Sequence, residues 1–105
     1  MTPESRLKNE IMIYLSQHDY LVLRMQVGQF FTQNGTPIRT GLPKGTSDLL
    51  AIENGTGRAI FIECKVHPRK PTKEQVRFIN VVREMGCKAA VCYSIQDVEN
   101  LLLQN

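Results

Sequence analysis

The chain has 105 residues, enough for one modest core and too few for a separate recognition module beside it. With 42% hydrophobic and 22% charged residues, 7 Gly and 5 Pro, the composition excludes disordered, collagen-like and low-complexity chains. Thirteen Lys and Arg against ten Asp and Glu give a formal charge of +3, and Arg58, Lys65, Arg69, Lys70 and Lys73 share their stretch of chain with the single acid Glu63.

Thr2-Pro3-Glu4 combines an N-cap residue, a proline for the first helical position and an acid for the first turn, so a helix is predicted to start there. Leu7, Ile11, Tyr14, Leu15 and His18 then recur at helical spacing, with Glu4 near the same face, and the chain is expected to turn near Asp19. Tyr20 to Met25 reads as a strand. Between Gln26 and Pro43, Val27, Phe30, Phe31, Thr32 and Ile38 suggest one or two short strands, interrupted by Gly28, Asn34-Gly35, Pro37 and Gly41; an irregular hairpin is predicted, with Phe30 and Phe31 in the core or at a dimer contact. Ser47 to Glu53 and Arg58 to Val66 are strand-like runs joined by Asn54-Gly55-Thr56-Gly57. A four-residue loop would put Glu53 opposite Arg58 and Asp48 opposite Glu63, whereas a two-residue Asn54-Gly55 loop would make the two acids diagonal neighbours on one face. After a basic connector, His67 to Pro71, Thr72 and Gln75 form a capping-box pattern that opens a helix with Phe78, Ile79, Val82 and Met85 as its buried stripe and Gly86 as its stop. Cys87 to Tyr93 is a short apolar strand, and Ser94 with Asp97 caps a final helix carrying Val98, Leu101 and Leu102. The order α, β, β-hairpin region, α, β, α predicts an α/β domain spanning residues 1–105, with three layers around a mixed sheet.

Cys64, Cys87 and Cys92 are odd in number and form no C-x-x-C, which argues for reduced, buried thiols rather than staples or a zinc site. Apolar runs of the length of Ala59–Ile62 cannot cross a bilayer, and the N-terminal residues lack a signal-peptide core, so a cytoplasmic protein without a membrane partner is expected. The chemistry concentrates in Ala59-Ile-Phe-Ile-Glu63-Cys-Lys65-Val, where Glu63 and Lys65 lie two residues apart in an apolar strand and therefore share a face. Asp48 adds a second carboxylate from the neighbouring strand, and two acids at close quarters need a cation or a proton between them. Hard oxygen donors without a thiolate or imidazole pattern favour Mg²⁺ or Mn²⁺, in a site with room for water and a phosphate oxygen. Lys65 would orient the attacking water or stabilise the phosphate, and the basic residues Arg69, Lys70, Lys73 and Arg77, with Lys44, would hold neighbouring phosphates.

These residues resemble a known pattern. Asp48, then Glu63-Cys64-Lys65 on the next strand, with a glutamate in the preceding helix, looks like the PD-(D/E)XK nuclease superfamily; Gly45-Thr-Ser-Asp48-Leu, Phe61-Ile-Glu63-Cys-Lys65 and Thr72-Lys-Glu-Gln75-Val-Arg-Phe78 are similar to the small VRR-NUC domain. The resemblance runs from Glu4 to about Tyr93 and implies a restriction-endonuclease-like core of α/β/α layers. It further implies a Mg²⁺ or Mn²⁺ site at Asp48, Glu63, the Cys64 main-chain carbonyl and Glu4, with Lys65 as catalytic lysine and Gln75 in support. Glu10 is an alternative to Glu4 as the helical acid, and Ser47 stands where the superfamily name expects proline. By this resemblance the expected activity is metal-dependent DNA endonuclease action, leaving 5′-phosphate and 3′-hydroxyl ends, selective for Holliday junctions or other branched DNA. The expected assembly is a homodimer, and the setting a bacterial cell or phage-infected host. A catalytically silent nucleic-acid-binding or assembly module that keeps the fold is the competing reading.

Overall fold

The Thr2 hydroxyl accepts the Ser5 N–H at 3.1 Å, and Pro3 takes the first helical position, so α1 runs Pro3–Gln17. The computed structural model describes residues 1–26, 29–39 and 41–104. Leu7, Ile11 and Leu15 form the buried stripe of α1, with Tyr14 half-buried beside them. His18, predicted to extend that stripe, is instead the exposed helix cap: its φ and ψ of −111° and 27° have left helical values, so the 3.6-residue spacing no longer governs where it points. Its Nδ1 lies 2.7 Å from the Tyr14 carbonyl oxygen, and Asp19 turns the chain at φ 66°.

The strands follow as β1 (Tyr20–Arg24), β2 (Gln29–Phe31), β3 (Pro37–Arg39), β4 (Leu49–Glu53) and β5 (Ala59–Cys64); then come α2 (Lys73–Glu84), β6 (Lys88–Cys92) and α3 (Ile95–Leu102). Four of the strands form one sheet in the order β1-β4-β5-β6, antiparallel except for the β5–β6 pair. The parallel pair brackets α2, which crosses between them as parallel connections require. β2 and β3 form a separate antiparallel hairpin, the predicted irregular segment; Val27 and Gly28 lie outside the described residues. Phe31 is 68% exposed, so of its two expected places the core is excluded and the dimer contact is left: a two-stranded hairpin has no second layer to bury it; the side chain of Phe30 lies outside the described residues.

Alternation along β5 divides the core. Ile60, Ile62 and Cys64 join Leu49, Ala51 and Cys92 under α1 and α3, packed on Ile11, Leu15, Val98 and Leu101. Full burial of each large aliphatic side chain in that cluster contributes about 2 kcal/mol relative to exposure. Phe61 points to the opposite face, where Phe78, Ile79 and Val82 of α2 cover Ala89 and Val91 of β6. The Phe61 and Phe78 rings meet edge to face with centroids 5.2 Å apart. Met85, expected in the α2 stripe, is 77% exposed because it is the helix cap and Gly86 (φ 99°) has already reversed the chain. The result is the three-layer α/β/α arrangement of a restriction-endonuclease-like fold. Among the described residues, no helix is long and apolar enough to cross a membrane.

The loop into β4 is held tightly. Thr46 donates from both its N–H and its hydroxyl to the Pro43 carbonyl, at 3.2 and 2.7 Å. Gly45 adopts φ 96°, and a Cβ there would collide with the Glu74 main-chain carbonyl in the first turn of α2. Both features exclude a side chain. Gly45→Ala is therefore expected to destabilise the protein by about 2 kcal/mol or more in denaturant unfolding; an unchanged midpoint would show that the loop does not bear on α2.

Candidate active site

The four-residue turn is the one formed. Glu53 donates its N–H to the Arg58 carbonyl at 3.0 Å, Gly57 donates to the Glu53 carbonyl at 3.0 Å, and the ladder runs on to Leu49 opposite Ile62. One step further, Asp48 faces Glu63 at the open end of the β4–β5 pair. Asp48 Oδ2 accepts the Cys64 N–H at 2.9 Å, so the carboxylate takes a main-chain donor that the β4 backbone no longer reaches. The Met25 N–H closes on the Asp48 carbonyl at 2.8 Å, fixing the backbone of this residue from the β1 side.

Glu63 lies on the α2 face of the sheet and is 2% exposed. Its Oε2 receives the Gln75 amide at 3.3 Å and stands 3.7 Å from the Lys65 ammonium, whose side chain is itself buried. Gln75 serves two purposes at once. Its Oε1 accepts the Thr72 N–H at 2.9 Å, completing the capping box that starts α2. With the amide oxygen so engaged, only the NH₂ end is left to face Glu63, and an NH₂ can only donate. The capping box thus sets which atom the carboxylate meets.

Two carboxylate oxygens, Glu63 Oε1 and Glu4 Oε1, are shielded from water and have no hydrogen-bond partner among the described residues. Burial pushes the Glu63 carboxyl up to about 8; the negative charges of Asp48 and Glu4 add to the rise, against the opposing pull of Lys65. Bare buried oxygens beside a repelling carboxylate are the chemistry of a site suited to a hard cation. Among the described residues no group of three or more His, Cys, Asp or Glu side chains closes into a ligand set, so the donors that fit are the Asp48–Glu63 pair rather than a complete cage. Glu10, the alternative helical acid, is exposed, whereas Glu4 is half-buried. Ser47 is fully buried, and its hydroxyl has no hydrogen-bond partner among the described residues.

The predicted phosphate-holding residues spread around this centre. Arg69 and Lys70 lie exposed in the connector after β5, and Lys73 and Arg77 are exposed on α2. Lys44 is exposed too, but its ammonium is 3.4 Å from Glu74 Oε1, so part of its charge is already answered. Two contributors escaped the sequence reading. Lys8 stands 3.6 Å from Asp48 Oδ1; its signal was its place one helical turn after Glu4. Tyr93 stacks on His67 with ring centroids 4.1 Å apart and donates its hydroxyl to the Arg69 carbonyl at 3.0 Å, pinning the basic connector to the end of β6. Its signal was the parallel β5–β6 register, which sets Cys64 beside Cys92 and so brings the residues after them together. The Cys64 and Cys92 thiols are fully buried and pushed up by that burial, which makes them inert packing groups.

A mixed sheet between helices, with an Asp and an E-x-K strand meeting at one end, defines a nuclease core of the PD-(D/E)XK type. Family comparison matches residues 2–96 to the VRR-NUC domain, and the chain belongs to that family. A solved structure described as a VRR_NUC domain superposes with a TM-score of 0.71 at 24% identity, covering 97% of this chain and 96% of that one. No curated protein matches the chain.

The sign of the Glu63 effect on stability follows from its raised pKa. The folded state holds that proton more tightly than the unfolded chain, so the contribution is fully present below the ordinary glutamate range and is lost as pH rises toward about 8. In chelator, wild type is expected to lose melting temperature over that window relative to Glu63→Gln, whose amide mimics the protonated acid. Parallel melting-temperature curves for the two proteins would rule this out.

Proposed function

We propose that this nuclease is a Mg²⁺- or Mn²⁺-dependent endonuclease of DNA that acts on branched structures as a homodimer. The observation that carries the reading is the meeting of Asp48 and Glu63, with bare buried carboxylate oxygen, beside the buried ammonium of Lys65. Asp48, Glu63 and the Cys64 main-chain carbonyl would hold the ion, with Glu4 near enough to raise the Glu63 carboxyl. Such an ion supplies polarisation of the phosphoryl group and a bound water of lowered pKa.

The protein's own part is positional and electrostatic. Gln75 holds the Glu63 carboxylate in one orientation, and the Cys64 N–H does the same for Asp48. Lys65 keeps a positive charge at contact distance from Glu63, where it can orient water and stabilise negative charge building on the phosphate; poor solvent access there strengthens the interaction. Arg69 and Lys70, on a connector braced by Tyr93, are suited to the flanking phosphates. A hydrolysis of this type leaves 5′-phosphate and 3′-hydroxyl ends by family analogy. The dimer is supported by the sheet face that α2 leaves open, where Leu21 and Leu23 of edge strand β1 are 60% and 42% exposed.

With Mg²⁺, Asp48→Asn is expected to abolish cleavage of a four-way junction, at least about a hundredfold, while keeping the fold. Lys65→Ala is expected to lower turnover far more than ion affinity. Full activity in Asp48→Asn, purified free of other nucleases, would refute the assignment. Neutralising Arg69 and Lys70 together is expected to weaken DNA binding and reduce the slope of log affinity against log salt by up to about 2; an unchanged slope would move the DNA surface elsewhere.

A further inference from the structure

Lys8 and Lys65 both approach the acids, yet they occupy different oxygens. Lys65 lies against Glu63 Oε2, the atom that also receives Gln75, and leaves Glu63 Oε1 bare. Lys8 lies 3.6 Å from Asp48 Oδ1, while Asp48 Oδ2 is already taken by the Cys64 N–H. The Asp48 oxygen without a main-chain donor, and so the more open to a dication, is therefore the one that Lys8 approaches. At 3.6 Å the contact is an ion pair rather than a close hydrogen bond, and the two side chains are 19% and 23% exposed, so the pairing is neither locked nor sealed from solvent. Glu4 and Lys8 leave α1 one turn apart on the same side, which brings an acid with a bare oxygen and a base to the same end of the site.

We propose that Lys8 is a stand-in for the divalent cation: it neutralises Asp48 while no ion is bound, competes with the ion for Oδ1, and on displacement turns its ammonium to the phosphate that accompanies the ion. This rests on the reading of Asp48 and Glu63 as an ion site. Two positive charges on one carboxylate oxygen repel each other, so an entering ion displaces the loosely held ammonium. The displaced group stays tethered to α1 beside the centre, where a new anion is its natural partner. The device would keep the acids apart from one another's repulsion before loading and would raise the ion concentration needed to switch the enzyme on.

The test is Mn²⁺ titration by calorimetry without DNA, on wild type, Lys8→Met, Lys8→Gln, Lys8→Arg and Asp48→Asn, each first shown to be folded by circular dichroism. Lys8→Met and Lys8→Gln are expected to bind Mn²⁺ about tenfold more tightly than wild type, and Lys8→Arg nearly as wild type does. At saturating Mn²⁺ the two neutral variants are expected to cleave more slowly with a raised KM for DNA, so that affinity for the ion rises while activity falls. If both neutral variants bind Mn²⁺ no better than wild type while Asp48→Asn loses binding, the stand-in role is wrong and the ion site stands. If wild type and Asp48→Asn bind Mn²⁺ alike, the ion site itself is wrong and the role of Lys8 falls with it.

Discussion

Repulsion between Asp48 and Glu63 is the constraint around which this molecule is arranged. The turn at Asn54–Gly57 sets the register, and the register leaves no choice: with Glu53 bonded to Arg58, the acids at the other end must face each other. Removing carboxylates from water costs several kcal/mol each unless donors or cations replace the lost solvent. The fold supplies those replacements from four directions: a main-chain N–H from β5, an amide from α2, an ammonium from α1 and another from the end of β5. It still leaves one Glu63 oxygen unserved. A site maintained for stability alone would have an apolar pair here, since the next pair along the same face is Leu50 and Phe61.

The N-terminus of α2 is the part that keeps both acids in position. Gln75, in its first turn, reaches Glu63 directly, and Glu74 beside it receives the close approach of Gly45 in the loop that leads to Asp48. One helix end therefore braces the two carboxylates along separate paths. The capping box makes that end rigid: Thr72 and Gln75 satisfy each other's backbone donors, so the amide that meets Glu63 is tied at both ends. An element whose local sequence already demands a cap has been given a second task without an added residue.

What could be read in advance was what local pattern decides. The E-x-K spacing, the Asn-Gly-Thr-Gly turn and the Thr-x-x-Gln cap each place their residues through neighbours within a few positions, and the strand and helix order followed from them. His18 and Met85 were misplaced because a helical period was carried past the residue where the helix ends. For Phe31 the pattern left core and dimer contact both open, because an aromatic residue in a strand-like run says nothing of whether a second layer covers it. Lys8 and Tyr93 were missed for another reason: their partners, Asp48 and Arg69, are distant in sequence, and only the packed sheet brings them together.

Electrostatics in this protein works at two depths. Arg69, Lys70, Lys73 and Arg77 project into solvent, where their influence on a polyanion reaches about 8 to 10 Å and is damped by salt. Lys65 is buried against Glu63, where solvent and counterions screen its charge much less. The outer charges are therefore salt-sensitive, whereas the inner lysine is much less so. Lys8 lies between these extremes, partly screened and partly sheltered, 3.6 Å from Asp48 Oδ1. That graded placement turns a net charge of only +3 into a directed one.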